Sequence, residues 1–333
     1  MLSIAACFIF QLIIKAQDIH FSQYEATPLL TNPANSGQFN EYWRLGFNFR
    51  EQWNHISIPY KTMNFFFDQQ VHISKLHFSA GGHFLIDQIT LKGLNKNYAA
   101  PTVAYHLSLK KNIITLGIQP GIGIYRFNAS GAYPDQYDDQ TGYFNPSLPS
   151  SDNMDNNSRI FFDFGIGLNY SREMFKSNSS VGFAVYHLNR PEYSFYNNEN
   201  SHRLPMKYTG NIIISIPVRS KAFIQPKAIA LRQDQSQEII AGFDYVLLTE
   251  KKTKDIKYIF IGPHFRTARS EGLNTLVIKA GFKYKGFRFG FNYDNYFSSS
   301  TKTSKFGSTM ELSLIYSGLN NFRGLDIFPC DRF

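Results

Sequence analysis

The stretch WRLGFNFR, residues 43–50, places a large apolar side chain at every second position. Successive side chains of an extended strand point to opposite faces. One face would therefore carry the apolar set: Trp43, Leu45, Phe47 and Phe49. The other face would carry polar side chains and glycine: Arg44, Gly46, Asn48 and Arg50. The stretch FDFGIGLN, residues 162–169, repeats this alternation. Segments of roughly ten residues with this pattern are typical of transmembrane β-barrels, in which alternate side chains face lipid and a wetter lumen.

Similar segments recur along most of the chain and predict an all-β fold, an antiparallel transmembrane β-barrel of the outer-membrane type with about 14 strands. In a barrel every backbone group can pair with a neighbouring strand, as lipid requires. The expected strands are Tyr42–Trp53, Lys61–Val71, Leu76–Asp87, Tyr98–Lys110, Ile113–Phe127, Arg159–Tyr170, Ser179–Leu188, Lys207–Ile216, Ala222–Arg232, Glu238–Leu248, Lys257–Thr267, Asn274–Tyr284, Gly286–Tyr296 and Ser308–Ser317.

The connections between these strands alternate in length. Short turns are expected at Ile73–Lys75, Lys111–Asn112, Pro217–Lys221 and Lys285. Longer polar connections come between them: Gln88–Asn97, Asn128–Ser158, Asn189–Met206 and Phe297–Gly307. Short periplasmic turns and long external loops are the rule in outer-membrane barrels, which favours a barrel over a soluble β-sandwich. Two connections, Gln233–Gln237 and Glu250–Ile256, fit the alternation poorly.

The composition also indicates strands rather than helices as membrane-crossing elements. Aromatic residues make up 16% of the 333 residues and charged residues 18%. No apolar run after the first fifteen residues is long enough for a spanning helix. The net charge of +9 is distributed over strands and turns. This distribution predicts a cationic lumen and rims beside anionic lipid, and no nucleic-acid partner.

The chain divides into four expected segments. Residues 1–16 have the character of a signal peptide, residues 17–41 form an N-terminal periplasmic segment, residues 42–317 form the barrel, and residues 318–333 form a C-terminal periplasmic tail. Removal of the signal peptide would remove Cys7 and leave Cys330 without a disulfide partner. Because a barrel of this size is too wide for its own side chains to fill, we expect residues 18–40 to plug the lumen or its periplasmic mouth.

No cluster of residues predicts catalysis, a cofactor or a metal site. Histidines on early strands could be ligands only if their rings converged, which the sequence does not indicate: His72, His77, His83 and His106. Aspartates on the longest loop match no EF-hand spacing: Asp135, Asp138, Asp139, Asp152 and Asp155. A rim hydrolase would need a nucleophile beside His187 or His202, and no nucleophile motif accompanies them. The prediction is a protein that is not an enzyme and carries no cofactor.

Several motifs resemble those of the PorP/SprF family, type IX secretion system membrane proteins of Bacteroidetes. QDIHFSQYEATPLLTNPANSG, residues 17–37, resembles the opening of that family, and FREQW, residues 49–53, resembles its Arg-x-Gln-Trp motif. Further matches follow in the family's order: AYHLSL (104–109), YHLNRP (186–191), GPHFR (262–266), FNYDNY (291–296) and ELSLIY (311–316). Ile19, Ser36 and Asp331 depart from the family pattern, which puts the subfamily in question.

The resemblance implies an integral outer-membrane barrel that is accessory to protein export or to gliding motility. The implied partners are outer-membrane lipid, the periplasmic ring and peptidoglycan-linked components of the secretion system and, for some members, a secreted surface adhesin with a C-terminal signal. A channel for small solutes is the alternative, because its alternation would look the same. The motif residues implied as structural or partner-binding positions are Phe21, Ser22, Gln23, Tyr24, Asn32, Pro33, Ala34, Gly37, Arg50, Gln52 and Trp53.

Overall fold

The computed structural model describes residues 18–53, 59–73, 76–88, 94–127, 136–139, 141–145, 147–148, 158–174, 177–194, 203–249, 256–268, 273–297 and 308–318. The predicted signal peptide, residues 1–16, and the predicted tail, residues 318–333 apart from Gly318, lie outside these ranges. The strands are β1 (Trp43–Gln52), β2 (Tyr60–Ile73), β3 (Leu76–Gln88), β4 (Leu94–Leu109), β5 (Asn112–Phe127), β6 (Tyr137–Asp138), β7 (Tyr143–Phe144), β8 (Ser158–Met174), β9 (Ser177–Tyr186), β10 (Lys207–Ile213), β11 (Ile216–Arg219), β12 (Ala222–Gln233), β13 (Ser236–Leu248), β14 (Ile256–Ala268), β15 (Leu273–Tyr284), β16 (Phe287–Phe297) and β17 (Thr309–Gly318).

These strands form a closed antiparallel barrel. β1 pairs with β2 on one side and with β17 on the other, and the Trp43–Gly318 and Gln52–Thr309 pairs mark the two ends of the closing seam. β10 and β11 are two parts of one barrel strand, since both pair with β12. β6 and β7 pair with each other in a separate two-stranded sheet. The described residues therefore contain fourteen barrel strands, and the predicted fold is confirmed.

Two features of the strands differ from the predicted bounds. β4 and β8 extend about four residues beyond the expected Tyr98–Lys110 and Arg159–Tyr170, because the ladder of backbone hydrogen bonds continues past the apolar band into polar sequence. The expected strand Lys207–Ile216 is interrupted after Ile213, and an irregularity in register follows at Pro217. Proline cannot donate a ladder hydrogen bond, so it disturbs the strand there.

The two faces of the barrel wall differ as the alternation predicts. Phe162 is 72% exposed, whereas Asp163, the next residue, is 4% exposed. On β1 the polar Arg44 and Asn48 are buried inside, and Leu45 faces outward. An outer surface covered with large apolar side chains would be unfavourable in water and is suited to lipid. Among the described residues, no helix is both long and apolar enough to span a membrane.

We call the two rims of the barrel the turn end and the loop end. The turn end holds the connections at residues 74–75, 110–111, 175–176, 220–221, 249–255 and 285–286, and the loop end holds the others. The connections expected at Gln233–Gln237 and Glu250–Ile256 do not follow the alternation of short turns and long loops. They still join strands that are neighbours in both sequence and sheet. A two-residue turn with Asp234 at φ 53° joins β12 to β13 at the loop end, and seven residues join β13 to β14 at the turn end. Aspartate tolerates this left-handed conformation better than most residues.

Candidate functional site

The described part of the N-terminal segment, residues 18–40, folds inside the barrel, and we call it the inner segment. It contains three short helical turns, Tyr24–Ala26, Pro28–Thr31 and Pro33–Asn35. Pro28 and Pro33 stand at the starts of two of these turns, where the fixed φ of proline suits the first helical position. The Asn32 side chain accepts a hydrogen bond from the backbone N–H of Ala34 at 2.8 Å and so caps the last turn.

The inner segment is hydrogen-bonded to strands on all sides of the barrel wall. Its backbone carbonyl groups accept bonds from inward-facing side chains on β1, β5 and β10. These donors are Asn48 to Ala26 at 3.1 Å, Gln119 to Leu29 at 3.1 Å, and Thr209 to Thr31 at 3.0 Å. The segment forms no strand, so no ladder pairs its backbone, although apolar side chains such as Phe21, Leu29 and Phe39 are buried. Its backbone polar groups are therefore satisfied by the wall, as buried polar groups must be.

Three glycines on neighbouring strands make room for the Asn32-Pro33-Ala34 turn: Gly117 on β5, Gly167 on β8 and Gly182 on β9. A methyl group at Gly117 would lie 2.4 Å from the backbone nitrogen of Ala34, and one at Gly167 would lie 2.0 Å from Oδ1 of Asn32. The backbone can approach the wall this closely only where the wall has no side chain. The Asn32 amide donates to Leu168 O at 3.1 Å, and a longer bond joins it to the carbonyl of Phe183 at 3.4 Å.

A buried ion pair holds the last part of the inner segment against β1 and β2. Arg44 donates from Nε to Oδ1 of Asp68 at 2.8 Å and from Nη2 to Oδ2 at 2.9 Å. Arg44 also donates to the carbonyl of Asn35 at 3.0 Å, and Asp68 accepts from the backbone N–H of Gly37 at 2.8 Å. Gly37 has φ +70°, and a methyl group there would lie 2.4 Å from Cβ of Ser79. Glycine meets both requirements.

A second buried carboxylate holds the start of the inner segment. Glu311 on β17 accepts hydrogen bonds from the backbone N–H groups of Ser22 at 2.8 Å and Gln23 at 2.9 Å. Arg50 lies 3.5 Å from the same carboxylate and also donates to the carbonyl of His20. Two backbone N–H donors and the opposite charge of Arg50 thus surround a carboxyl group that is almost fully buried, and these partners offset the cost of burying it.

His20 and Ser22 contact a network of charged side chains on β13, β14 and β16. Arg266 forms a two-bond pair with Glu238 at 2.8 and 3.1 Å. His20 lies 2.8 Å from Glu238, and Ser22 donates to Asp294 at 2.5 Å. Burial, the largest influence, lowers the pKa of His20 and favours the neutral ring. His20 is therefore held mainly by hydrogen bonding.

Asp18, the first described residue, contacts His187, which follows β9. The His187 ring lies between the carboxylates of Asp18 and Asp163, with its Nδ1 2.9 Å from Asp163. Burial alone would lower the pKa of His187, but the two carboxylates outweigh it and raise the pKa to about 9. Burial has the opposite effect on Asp18 and alone would raise its pKa. The nearby His187, Lys207 and Lys96 outweigh burial and lower the pKa of Asp18 below its usual range. The contact is therefore a charged pair near neutral pH.

Tyr24 and Glu25 attach the first helical turn to the opposite wall. The Tyr24 ring packs in a buried cluster with Ile229, Leu231 and Ile240, and the Lys279 ammonium lies 5.0 Å from its centroid. Lys279 also lies 3.2 Å from the Glu25 carboxylate. Burial alone would raise the pKa of Glu25, but Lys279 and the neighbouring cations lower it, so Glu25 is ionised.

The structure brings most of the predicted motif residues together. Those from the inner segment and Arg50 form one continuous contact between segment and wall: Phe21, Ser22, Gln23, Tyr24, Asn32, Pro33, Ala34, Gly37 and Arg50. Gln52 and Trp53 lie apart from them, at the loop end of β1. Trp53 donates its backbone N–H to Ser308 O at 3.1 Å and packs edge-on against Tyr60 with ring centroids 4.8 Å apart.

Sequence reasoning missed the wall residues that receive the segment: Arg44, Asp68, Gly117, Gly167, Gly182, Glu238, Arg266 and Glu311. A signal was available, since several are charged residues at the inward parity of otherwise charge-poor strands. His77 and His83 both face inward as expected, and His106 bonds to Ser79 and Thr115 at 3.0 Å. Within the described ranges no three histidine, cysteine or acidic residues are arranged to hold a metal ion. Asp135, Asp152, Asp155 and His202 lie outside those ranges.

A closed antiparallel barrel with an apolar outer wall and a polar, filled interior defines a β-barrel protein of the outer-membrane type. The sequence profile described as "Type IX secretion system membrane protein PorP/SprF" matches residues 13–316. The chain belongs to the PorP/SprF family.

Solved structures with a similar fold include two channels. The monoaromatic hydrocarbon channel TodX, in a deltaS2 mutant, has a TM-score of 0.51 at 8% identity, with 89% of this chain and 94% of TodX covered. The monoaromatic hydrocarbon channel CymD has a TM-score of 0.51 at 11% identity, with 89% and 93% covered. At such identities the similarity shows the fold alone. No curated protein sequence matches this chain.

Proposed function

We propose that this protein is an integral outer-membrane component of the type IX secretion and gliding machinery, accessory to the export or surface display of proteins that carry a C-terminal signal, such as adhesins. Family membership and the barrel fold support the proposal. The observation that carries it furthest is the inner segment, which the wall binds on every side. A barrel filled in this way suits a docking or scaffolding role better than passive permeation.

The alternative is a channel for small solutes, as TodX and CymD are named. The inner segment disfavours this alternative, because an ion path through the lumen would have to break buried ion pairs. The Glu25–Lys279 pair joins the segment to β15, with the two side chains 5% and 1% exposed, and the Asp18–His187 pair joins it to the residue that follows β9. Removing one partner of such a pair leaves an uncompensated charge in the interior. The segment should therefore stay in place under ordinary conditions.

The charge at the turn end supports a partner on that side. The exposed charged side chains that the structure describes there are all basic: Lys110, Lys111, Arg172, Arg219, Lys221, Lys257 and Lys285. In outer-membrane barrels the short turns lie in the periplasm. A basic rim around a closed mouth would attract an acidic protein surface and orient it. We place the contact with the periplasmic ring and peptidoglycan-linked components at this rim.

Two measurements test the proposal. The wild-type protein in a planar lipid bilayer should conduct little, and deletion of residues 18–40 should produce open-pore conductance. Equal conductance of the two proteins would contradict the closed lumen. Affinity purification from native envelope should recover secretion components with the wild-type chain. A variant with Lys110, Lys111, Arg219 and Lys221 changed to Gln should recover less, and Arg126→Gln at the loop end is the control. Recovery of no secretion component by wild type would refute the functional proposal and leave the fold intact.

A further inference from the structure

A small cavity lies between the inner segment and the barrel wall, toward the turn end. Its volume is about 60 Å³, and its lining includes Tyr24, Glu25, Glu41, Asn211, Lys283 and Arg288. One water needs about 10–15 Å³ measured in this way, so the cavity has room for a group of three heavy atoms. Glu41 and Lys283 keep 13% and 12% of their side-chain surface exposed. The cavity is therefore close to solvent at the turn end.

Arg288, near the start of β16, is the distinctive residue of this cavity. It is 7% exposed, and its Nε and Nη1 atoms are buried with no hydrogen-bond partner in the described part of the chain. Its guanidinium packs over the Phe260 ring, 4.9 Å from the centroid. That contact compensates part of the charge but accepts none of its N–H groups. Buried arginines in proteins are normally paired with an anion.

The neighbouring cations already have their counter-ions. Lys283, directly opposite Arg288 in the β15–β16 pair, lies 2.7 Å from the Glu41 carboxylate. Lys279 lies 3.2 Å from the Glu25 carboxylate. Both acidic side chains that line the cavity are therefore in ion pairs with lysines. Arg288 forms no ion pair with a described residue, and Glu25 acts on it only from beyond ion-pair distance. Water could accept the hydrogen bonds of Arg288 but could not balance its charge.

Two more polar groups lining the cavity lack partners among the described residues. These are the hydroxyl of Tyr24, on the inner segment, and Oδ1 of Asn211, on β10. A phenol can donate a hydrogen bond, whereas Oδ1 of Asn211 can only accept one and so does not count among the donors. The Tyr24 hydroxyl on the inner segment and the Arg288 guanidinium on β16 are the two donor groups. Unpartnered donors around one cavity indicate a site for an acceptor.

We propose that this cavity binds a single carboxylate group, with Arg288 as its counter-ion. Arginine presents a planar fork that matches the two oxygens of a carboxylate. One negative charge balances Arg288, which has no ion pair among the described residues, and the nearby Glu25 and Glu41 carboxylates would oppose a dianion. The carboxylate belongs either to a small free acid or to a polypeptide reaching in from the turn end. This inference does not depend on the proposed role in secretion.

The test uses the full-length protein in detergent micelles and ¹³C-acetate as the probe. Acetate lines should broaden and saturate with wild type, and Arg288→Met should weaken this binding at least tenfold. Arg126→Met, which removes an exposed arginine of β5, is the matched control and should bind as wild type does. A circular dichroism spectrum equal to that of wild type shows that each variant is folded. If Arg288→Met does not fold, Tyr24→Phe and Arg288→Lys replace it, with a several-fold loss expected for each.

The source of the carboxylate is decided by acetyl-trialanine with a free or an amidated C-terminus. Competition with acetate by the free acid and not by the amide indicates a site open to polypeptides. Competition by neither peptide, with acetate still bound, indicates a site for small acids. Either result supports the proposal. Acetate binding that is absent from wild type, or unchanged in the Arg288 and Tyr24 variants, overturns it.

Discussion

Replacing Gly117 by alanine should loosen the inner segment without disturbing the barrel. The added methyl group would lie 2.4 Å from Ala34 N and from Pro33 C. Ordinary contact begins near 3.4 Å, and both atoms belong to the backbone, so the turn must move by about 1 Å. Such a shift would break the Asn32 bond to Leu168 O at 3.1 Å and the Gln38 bond to Thr115 at 2.9 Å.

Two hydrogen bonds at about 1 kcal/mol each and about 1 kcal/mol of overpacking give a loss of about 3 kcal/mol in docking. Because 1.4 kcal/mol corresponds to tenfold, hydrogen exchange of peptides covering residues 28–38 should be roughly a hundredfold faster. Exchange of the β-strands should not change.

The control for this variant is Gly210→Ala on β10. A methyl group at Gly210 would have no atom within 4 Å, so exchange of residues 28–38 should equal that of wild type. Mass spectrometry of both variants in the same micelles gives the comparison. If Gly117→Ala exchanges no faster than Gly210→Ala, the close packing of the Asn32-Pro33-Ala34 turn does not hold the segment, and the argument from the three glycines is wrong.

Two further changes test the buried charges. Asp68→Asn leaves the Arg44 guanidinium without its carboxylate and should lower the free energy of unfolding in urea by about 3 kcal/mol. The double variant Asp68→Asn/Arg44→Met should recover part of this loss. A loss below about 0.5 kcal/mol would contradict a role for the pair in stability. The pKa of His187 is raised to about 9 from 6.5, so its pair with Asp18 stabilises fully below pH 6.5 and is lost as pH rises through about 9. The pKa of Asp18 is lowered from 3.8, so its share is present above that pH and is lost on further acidification. The stability difference between wild type and His187→Gln should therefore be largest between about pH 4 and 6.5 and vanish by pH 10, and a difference independent of pH would count against the charged pair.

The barrel was predictable because its signal is local. Trp43 to Arg50 and Phe162 to Asn169 alternate as the two faces of the wall require, and burial in the structure follows that alternation. The strand interrupted after Ile213 was not predicted, because the apolar pattern continues across the break while the backbone pairing does not.

The site was only partly predictable. The inner segment carries motif residues such as Asn32 and Gly37, and these were identified. Their receptors on the wall were not, because nearly all of them lie far away in sequence; Arg44, nine residues from Asn35, is the exception. Asp68 could have been paired with Arg44 only from the register of β1 and β2, in which the two are directly opposite. The same holds for Arg50 and Glu311, which are opposite across the closing seam of β1 and β17.

Sequence alone therefore determined the approximate strands, their number and which side of each faces outward, since a period of two residues depends only on near neighbours. Tertiary structure decided which inward charges meet, where glycine leaves room for the inner segment, and that Arg288 has no counter-ion among the described residues. These outcomes depend on register, on closure of the barrel and on a segment that threads its lumen. Each of these is a relation between residues far apart in the chain, and the alternation of apolar and polar side chains carries no record of it.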